Sequence, residues 1–513
     1  MRQAAVKRRI SRTYSVPAPT KGWNTLDTVA LMDEKYAVTL TNFIPTSSSV
    51  ALRKGSSAWK TGISGRVETL ACYNGYTSSK LFAAVGGNIY DATTSGAIGA
   101  AVVSGKSNAR WQHVNFATTG GQFMYMVNGA DSPLLYDGTT WTSITGVSVP
   151  AITGVTTSNL INVSSFKNRL WFIENNSLKA WYLAAGAIGG AANALDLSGV
   201  FPRGGYLVAM GDWTLDSGEG VDDYAVFITS EGEVAVYQGT DPSSASTWAL
   251  TGIYQIGSPI GRRCLVKFAS DLIIINQDGM QLLSAALSSS RAYAQQSVTD
   301  KIQPTISQAI ATYGTNFGWE TTLFSKEDVI FLNVPITGGS QQYLMNTRTR
   351  GWCNITGWDA ACWEVMNDNL YFGTTSYVMK AFDGTSDNGT AINGEAQQAF
   401  SYMGSSSLKY WEMARPIIST DTSSLGILLG LNVDYDMSTP VGTPTFSNVT
   451  VGVWDTALWD IDTWGGSLQI RKDWQTVGGV GYTAALHMKT QSTNATVQWA
   501  ATDYTFQQGS GFV

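Results

Sequence analysis

Seven times along this 513-residue chain a short apolar run meets a Gly, Asn or Asp turn and returns as a second apolar run. The runs open near Leu81, Phe123, Leu170, Tyr224, Leu272, Val329 and Leu370, as in SSKLFAAVGGNIYDATT and ASDLIIINQDGMQLLSAA. β-Branched and aromatic residues flanking such turns are the pattern of β-hairpins. Successive hairpins stand about 48 residues apart on average, and a repeat of roughly 40–50 residues with several short strands marks a β-propeller blade. One four-stranded blade cannot bury both of its faces alone, so it needs a neighbour on either side. The spacing therefore predicts an all-β chain built around a six- or seven-bladed propeller. The count stays open because one hairpin could belong to a flanking segment.

A repeated tryptophan phrase supports the same reading. WTSITG at Trp141–Gly146 returns as WCNITG at Trp352–Gly357, with shortened copies in STWALTG and AWKTG. Trp141, Trp248, Trp352 and Trp363 are accordingly expected to anchor strand ends between neighbouring sheets. The 53 glycines and 18 tryptophans suit short strands and tight turns, and only 14% of residues are charged, well below the usual quarter. Two intervals are long, which places insertions near residues 183–205 and 288–314. In the second, Ile302, Ile306, Ile310 and Tyr313 recur at helical spacing with Pro304 near the start, predicting one short amphipathic helix on the propeller rim.

The ends differ from the middle. Residues 1–20 form a basic arm in which Arg2, Lys7, Arg8, Arg9 and Arg12 meet no acid, a candidate contact for a partner subunit or for DNA. Residues 21–57 read as an extended segment, 58–394 as the propeller, and 395–513 as a C-terminal β-sandwich-like domain. In that last part Val497, Trp499 and Ala501 alternate onto one side of a strand.

Signals for chemistry are sparse. The net charge of −6 disfavours a tight electrostatic grip on nucleic acid. Cys72, Cys264, Cys353 and Cys362 have no CxxC spacing, and His113 and His487 lie far from them in sequence, so neither a zinc site nor any cofactor is expected. There is no phosphate loop, no Gly-x-Ser-x-Gly elbow and no His-Glu-x-x-His. YDGTTW at Tyr136–Trp141 is only faintly similar to the Asp-box turn of propeller sialidases, and FDGTSDNGT at Phe382–Thr390 departs from calcium-loop spacing. Asp222–Asp223 and Glu231–Glu233 read as hairpin turns. Nothing here nominates an enzyme. No apolar run of about 18 residues is present to span a membrane, and the basic start has no apolar stretch of a secretory signal behind it. Ala184–Leu195 and Asp212–Asp223 read as long surface loops.

Three stretches carry a family resemblance. TLTNFIPTSSSVALRKGS, DYAVFITSEGEVAVYQGTDP with IGSPIGRRCLVKF, and YLMNTRTRGWCNITGWDAACWEVMNDNLYFGT together resemble tail hub or nozzle proteins of short-tailed bacteriophages, the tail tubular protein B type. The C-terminal ARPII, GLNVDYD and WAATDY resemble the same group, so nearly the whole chain is covered. The resemblance implies a non-enzymatic structural subunit of a homohexameric ring. That ring would sit below the portal and the head–tail adaptor ring, with tail fibres or spikes at its periphery. It would retain packaged double-stranded DNA and conduct it during ejection. It also implies a place in the virion tail after assembly in the host cytoplasm, and puts the basic arm near the adaptor. A receptor- or glycan-binding propeller module of the tail is the competing reading.

Overall fold

In the computed structural model, residues 11–216, 221–288, 297–422, 425–447 and 468–509 are described. They fall into two compact units. One comprises residues 58–342 and 359–381; the other comprises the described parts of 1–57, 343–358 and 382–513.

The first unit is a succession of small antiparallel sheets, each a meander. Val67–Asn74, Ser79–Val85, Asn88–Asp91 and Ala101–Val103 make one. Gln112–Thr118, Gly121–Val127, Leu134–Tyr136 and Trp141–Ser143 make the next. Sheets opening with Leu160–Phe166 and Leu207–Asp216 follow the same plan. A three-stranded sheet opens with Leu265–Phe268, and another begins with Glu320–Phe324 and Val329–Ile336. The last runs Cys362–Met366, Asn369–Gly373 and Val378–Ala381, and its next strand, Ser56–Thr61, comes from the far end of the sequence. The opening strands of consecutive sheets are neighbours, and Cys362–Met366 lies beside Val67–Asn74, so the series closes on itself. This is a β-propeller-like arrangement of repeated sheets.

The core of this unit lies between sheets rather than within one. Phe82, Trp111, Met124 and Tyr136 fill one gap, and Tyr125, Val163, Leu170 and Phe172 the next. Trp171, Phe227, Tyr237 and Trp248 fill a third; Val226, Ile228, Leu272 and Ile274 a fourth. Val67, Leu81, Cys362 and Tyr371 pack where the last sheet meets the first. Middle strands are covered on both faces, and Leu272, Ile273, Ile274 and Ile275 are all buried. That is why these strands read as continuous apolar runs instead of alternating ones.

The insertions resolve into structure. The helix expected from the isoleucine spacing is Gln303–Tyr313, with proline in its first turn and Ile306 and Ala309 buried. It packs on strands Gly279–Leu282 and Val329–Ile336. A further helix, Leu283–Ser288, precedes it. Within 183–205, Gly190–Ala191 pairs in parallel with Ile152–Thr153, and Asn193–Asp196 is the outermost strand of its sheet. The loop reading of Asp212–Asp223 is corrected. Most of that stretch belongs to the paired strands Leu207–Asp216 and Val221–Thr229, where Asp212 faces Ala225.

In the second unit, both ends of the chain share two sheets. Lys409–Thr420 pairs with Val497–Gln508, which pairs with Ser11–Pro17 over seven residues and also with Val50–Leu52. The other sheet contains Gly22–Trp23, Tyr36–Thr41, Ile392–Gln398, Ala484–Ser492 and Ile427–Val433. The sheets face each other. The Tyr504 hydroxyl of one donates to Gln398 Oε1 of the other at 2.6 Å and accepts from the Leu486 amide at 3.1 Å. Gly394 makes the close approach possible, since a Cβ there would lie 2.7 Å from Leu52 and Phe43 side-chain atoms. Segments 21–57 and 395–513, separated in the sequence reading, thus belong to one unit, and 343–358 and 382–394 join them rather than the ring. Trp352–Ile355 follows Gly339–Asn346 in its sheet and also adds in parallel to Gly22–Trp23 and Tyr36–Thr41. Gly22, at φ +86°, sits where any Cβ would be 2.6 Å from the Trp352 backbone.

Candidate functional site

The opening strands of the ring enclose a cavity of about 240 Å³ near their N-terminal ends. Every sheet but the last contributes a short stretch of its first strand: Thr69, Gln112 and His113, Asn162, Ala209 and Met210, Leu265, then Glu320 and Thr321. Arg262 and Arg263 enter just before Leu265.

Arg263 ties the ring together at this point. Its Nη1 donates to Glu320 Oε2 at 3.0 Å, and its Nη2 donates to Thr69 Oγ1 at 2.6 Å and to the Glu68 and Trp111 carbonyls at 3.1 Å. One guanidinium therefore joins four sheets, which its fixed fork of donors suits better than a lysine ammonium would. Burial raises the Glu320 carboxyl above the ordinary glutamate value, Arg263 works against that, and Glu364 adds to it. Glu364, from the last sheet, meets His113 Nε2 at 3.1 Å. Two acids, a histidine and two arginines thus converge at one end of the ring, a grouping no local motif announced. The signal was GRRC, two adjacent arginines between apolar runs, part of a stretch singled out only for its resemblance.

Three residues that line the cavity each bury a polar atom with no hydrogen-bond partner among the described residues: Gln112 Nε2, Asn162 Oδ1 and Thr321 Oγ1. Buried polar atoms are satisfied in most folded proteins, so each exception needs a cause. Among the described residues Arg262 makes one hydrogen bond, from Nη1 to the Asn128 carbonyl at 3.3 Å. Burial lowers its pKa, and no carboxylate acts on it.

A second buried arginine holds the other unit. Arg53 forms a two-pronged pair with Asp387, at 2.8 Å and 2.5 Å, and also donates to Asn42 Oδ1 and the Thr356 carbonyl. Its guanidinium lies 4.5 Å over the Trp358 ring, whose Nε1 donates to the same aspartate at 2.9 Å. FDGTSDNGT thus holds Asp387 as the counterion of Arg53. A cleft of about 690 Å³ in this unit is lined by Glu395 and Lys489, which pair with each other at 3.4 Å.

The expected site residues are placed as follows. Arg2, Lys7, Arg8 and Arg9 lie outside the described residues. Arg12 is exposed on Ser11–Pro17, facing Phe506 across the strand pair. Trp141 is half-buried, 4.9 Å from Phe82 and 4.8 Å from Tyr136. Trp248 stacks between Trp171 and Tyr237 at 5.5 and 5.4 Å. Trp363 stacks on Phe331 at 4.6 Å. Trp352 is buried, on the strand that follows Gly339–Asn346 in its sheet. The Asp137 carboxylate of the YDGTTW turn caps the Thr139 and Thr140 amides. Among the described residues no three His, Cys, Asp or Glu side chains gather to hold a metal ion. All four cysteines are buried, and burial pushes the Cys72, Cys264 and Cys362 thiols up to about 12, which disfavours the reactive thiolate.

No family model matches the sequence, and no curated protein matches it. Solved structures that resemble the fold include BBS1N in complex with ARL6DN, at TM-score 0.39 and 8% identity, covering 64% of this chain and 96% of that one. Another is the Cps50 (Swd1) β-propeller domain from Myceliophteria thermophila, at TM-score 0.38 and 10% identity, covering 62% of this chain and 98% of that one.

Proposed function

We propose that this chain is a structural subunit of a short-tailed phage tail, a seven-bladed propeller joined to a β-sandwich, acting as the hexameric nozzle or hub ring that retains and conducts DNA. The observation that carries the reading is the chain-long resemblance, whose quoted stretches contain Arg53, Arg263, Trp352 and Trp358. Arg53 and Arg263 form ion pairs with Asp387 and Glu320, and Trp352 and Trp358 are buried, which supports a structural role for these stretches.

The geometry constrains where DNA would run. A cavity of about 240 Å³ crossed by the Arg263 ties cannot admit a duplex whose major groove alone is about 12 Å wide. The conduit would therefore lie between copies of the chain, on the ring's symmetry axis. A net charge of −6 suits a bore through which DNA slides without sticking. The exposed strand Ser11–Pro17 would carry the basic arm toward the adaptor ring.

The test is mass by light scattering with negative-stain images of the same sample, alone and with an adaptor ring. A six-fold annulus with a central bore supports the nozzle. A monodisperse monomer that ignores the adaptor and binds cell-surface polysaccharide would sink it in favour of the glycan-binding reading. A bore lined by Lys and Arg would contradict the charge argument.

A further inference from the structure

We propose that copies of this chain join head to tail by backbone pairing, the outer edge of Ser11–Pro17 in one copy adding to the outer edge of Gln475–Gly481 in the next. The inference rests on the nozzle reading for the ring it closes, and it names the surface through which that ring forms.

Topology comes first. In the second unit Ser11–Pro17 pairs with Val497–Gln508, that strand with Lys409–Thr420, and Lys409–Thr420 with Gln475–Gly481, each step antiparallel. Among the described residues neither outer strand pairs on its far side. The Pro17 carbonyl alone is met by a side chain, accepting from Gln398 Nε2 at 2.8 Å. The sheet is thus bounded here by two seven-residue strands that run in opposite directions. A second copy set beyond Gln475–Gly481 in the same orientation continues the ladder antiparallel, the more stable pairing. Because the two edges differ, the contact repeats from copy to copy, and such head-to-tail contacts close into rings.

The edge itself is open to a partner strand. Edges are normally blunted by charge, proline or a bulge. Gln475–Gly481 reads QTVGGVG, with no charged residue and no proline. Val480 on that strand, Tyr482 just past it and Tyr410 beside it are exposed. Main-chain hydrogen bonds and these side chains are what an added strand takes up.

Charge fixes direction and level. Ser11 and Val480 stand on one level of the sheet, through Gln507 and Tyr410; Thr13 and Thr476 stand on another, through Thr505 and Met413. A copy added without slip sets its Ser11 beside Val480 of its neighbour, so the chain before Ser11 leads past Gly481. There Asp434 and Asp436 are exposed, and Asp434 Oδ1 accepts from the Tyr482 amide at 2.7 Å. Lys7, Arg8 and Arg9 stand just before Ser11 in the sequence. Basic arm and acidic turn are complementary, and the turn lies on the arm's way to the adaptor.

The test is cross-linking between copies. Thr13→Cys and Thr476→Cys are made as separate variants, against native cysteines that are all buried, and mixed before assembly alone and on an adaptor ring. A short thiol cross-linker should give covalent dimers in the mixture and none with either variant by itself. Hydrogen exchange on the wild type needs no substitution and decides the matter if a variant does not fold: amides of 12–16 and 475–481 should slow at least about tenfold on assembly. Rings seen by negative stain in which the mixture gives no dimer, or in which these amides exchange as in the monomer, would overturn this contact while the nozzle reading stands. Self-cross-linking of Thr476→Cys would also overturn it, since that is a two-fold contact. Monomers under every condition would overturn both.

Discussion

Leu272, Ile273, Ile274 and Ile275 are all buried in the ring, whereas along Lys409–Thr420 burial alternates and Tyr410 keeps 51% of its surface exposed. Both are strands near the middle of antiparallel sheets. The difference is their surroundings. A ring sheet is covered by a neighbour on each face; a sheet of the other unit has one covered face and one open face. The hydrophobic pattern of a strand therefore reports how many layers flank it, not merely that it is a strand.

The sharpest way to break this comparison is through the second unit's buried ion pair. If that unit depends on Arg53 as the ring depends on shared apolar gaps, Asp387→Ala should destabilise it by about 3–5 kcal/mol in chemical denaturation, because Arg53 is left buried without its counterion. Trp352→Ala should cost a similar amount, about 3–5 kcal/mol, since its ring is 1% exposed; a loss below about 1 kcal/mol would mean that the indole packs on little.

Next comes the matched pair that defines the contrast. Ile274→Ala should cost about 2–5 kcal/mol, while Tyr410→Ala on the open face should change stability by no more than about 0.5 kcal/mol. Equal effects would show that the face carrying Tyr410 is covered after all.

The smallest expected effect is a pH dependence at the ring's edge. The hydrogen bond from Lys167 holds the Asp223 carboxyl below its ordinary value, against some burial, with Thr214 also donating. A depressed folded-state pKa stabilises above the unfolded value and is lost as pH falls through the folded one. The Tm gap between wild type and Asp223→Asn should therefore be present near neutrality and shrink on acidification below about pH 4. A gap that widens in acid would reverse the sign of this account.

How much of this was legible in the sequence depends on the range of each signal. The hairpins were legible because turn chemistry and apolar runs are local, and so was the helix at Gln303–Tyr313, whose isoleucines keep helical spacing. Pairings between distant segments were not. Nothing near Ser11 announces Gln507, its strand partner, and nothing near Gly22 announces Trp352. The stretch 343–358 keeps the repeat's tryptophan phrase and continues its sheet after Gly339–Asn346, and it also pairs with the chain's N-terminal strands. The Asp212–Asp223 stretch, rich in acids and glycine, reads as a loop, yet most of it pairs as a long hairpin. The axial cluster was invisible because its members come from different sheets, each contributing one or two residues.

Imaging the assembled ring with DNA in its bore, at side-chain detail, bears most directly on the claim that the cavity crossed by Arg263 is too small for DNA and the conduit lies between copies. The account predicts duplex density on a six-fold axis bounded by several chains. Within each chain the Arg263–Glu320 tie would remain intact. Duplex density threading the cavity lined by Thr69, Gln112 and Thr321, or copies that form no ring even on the adaptor, would contradict it.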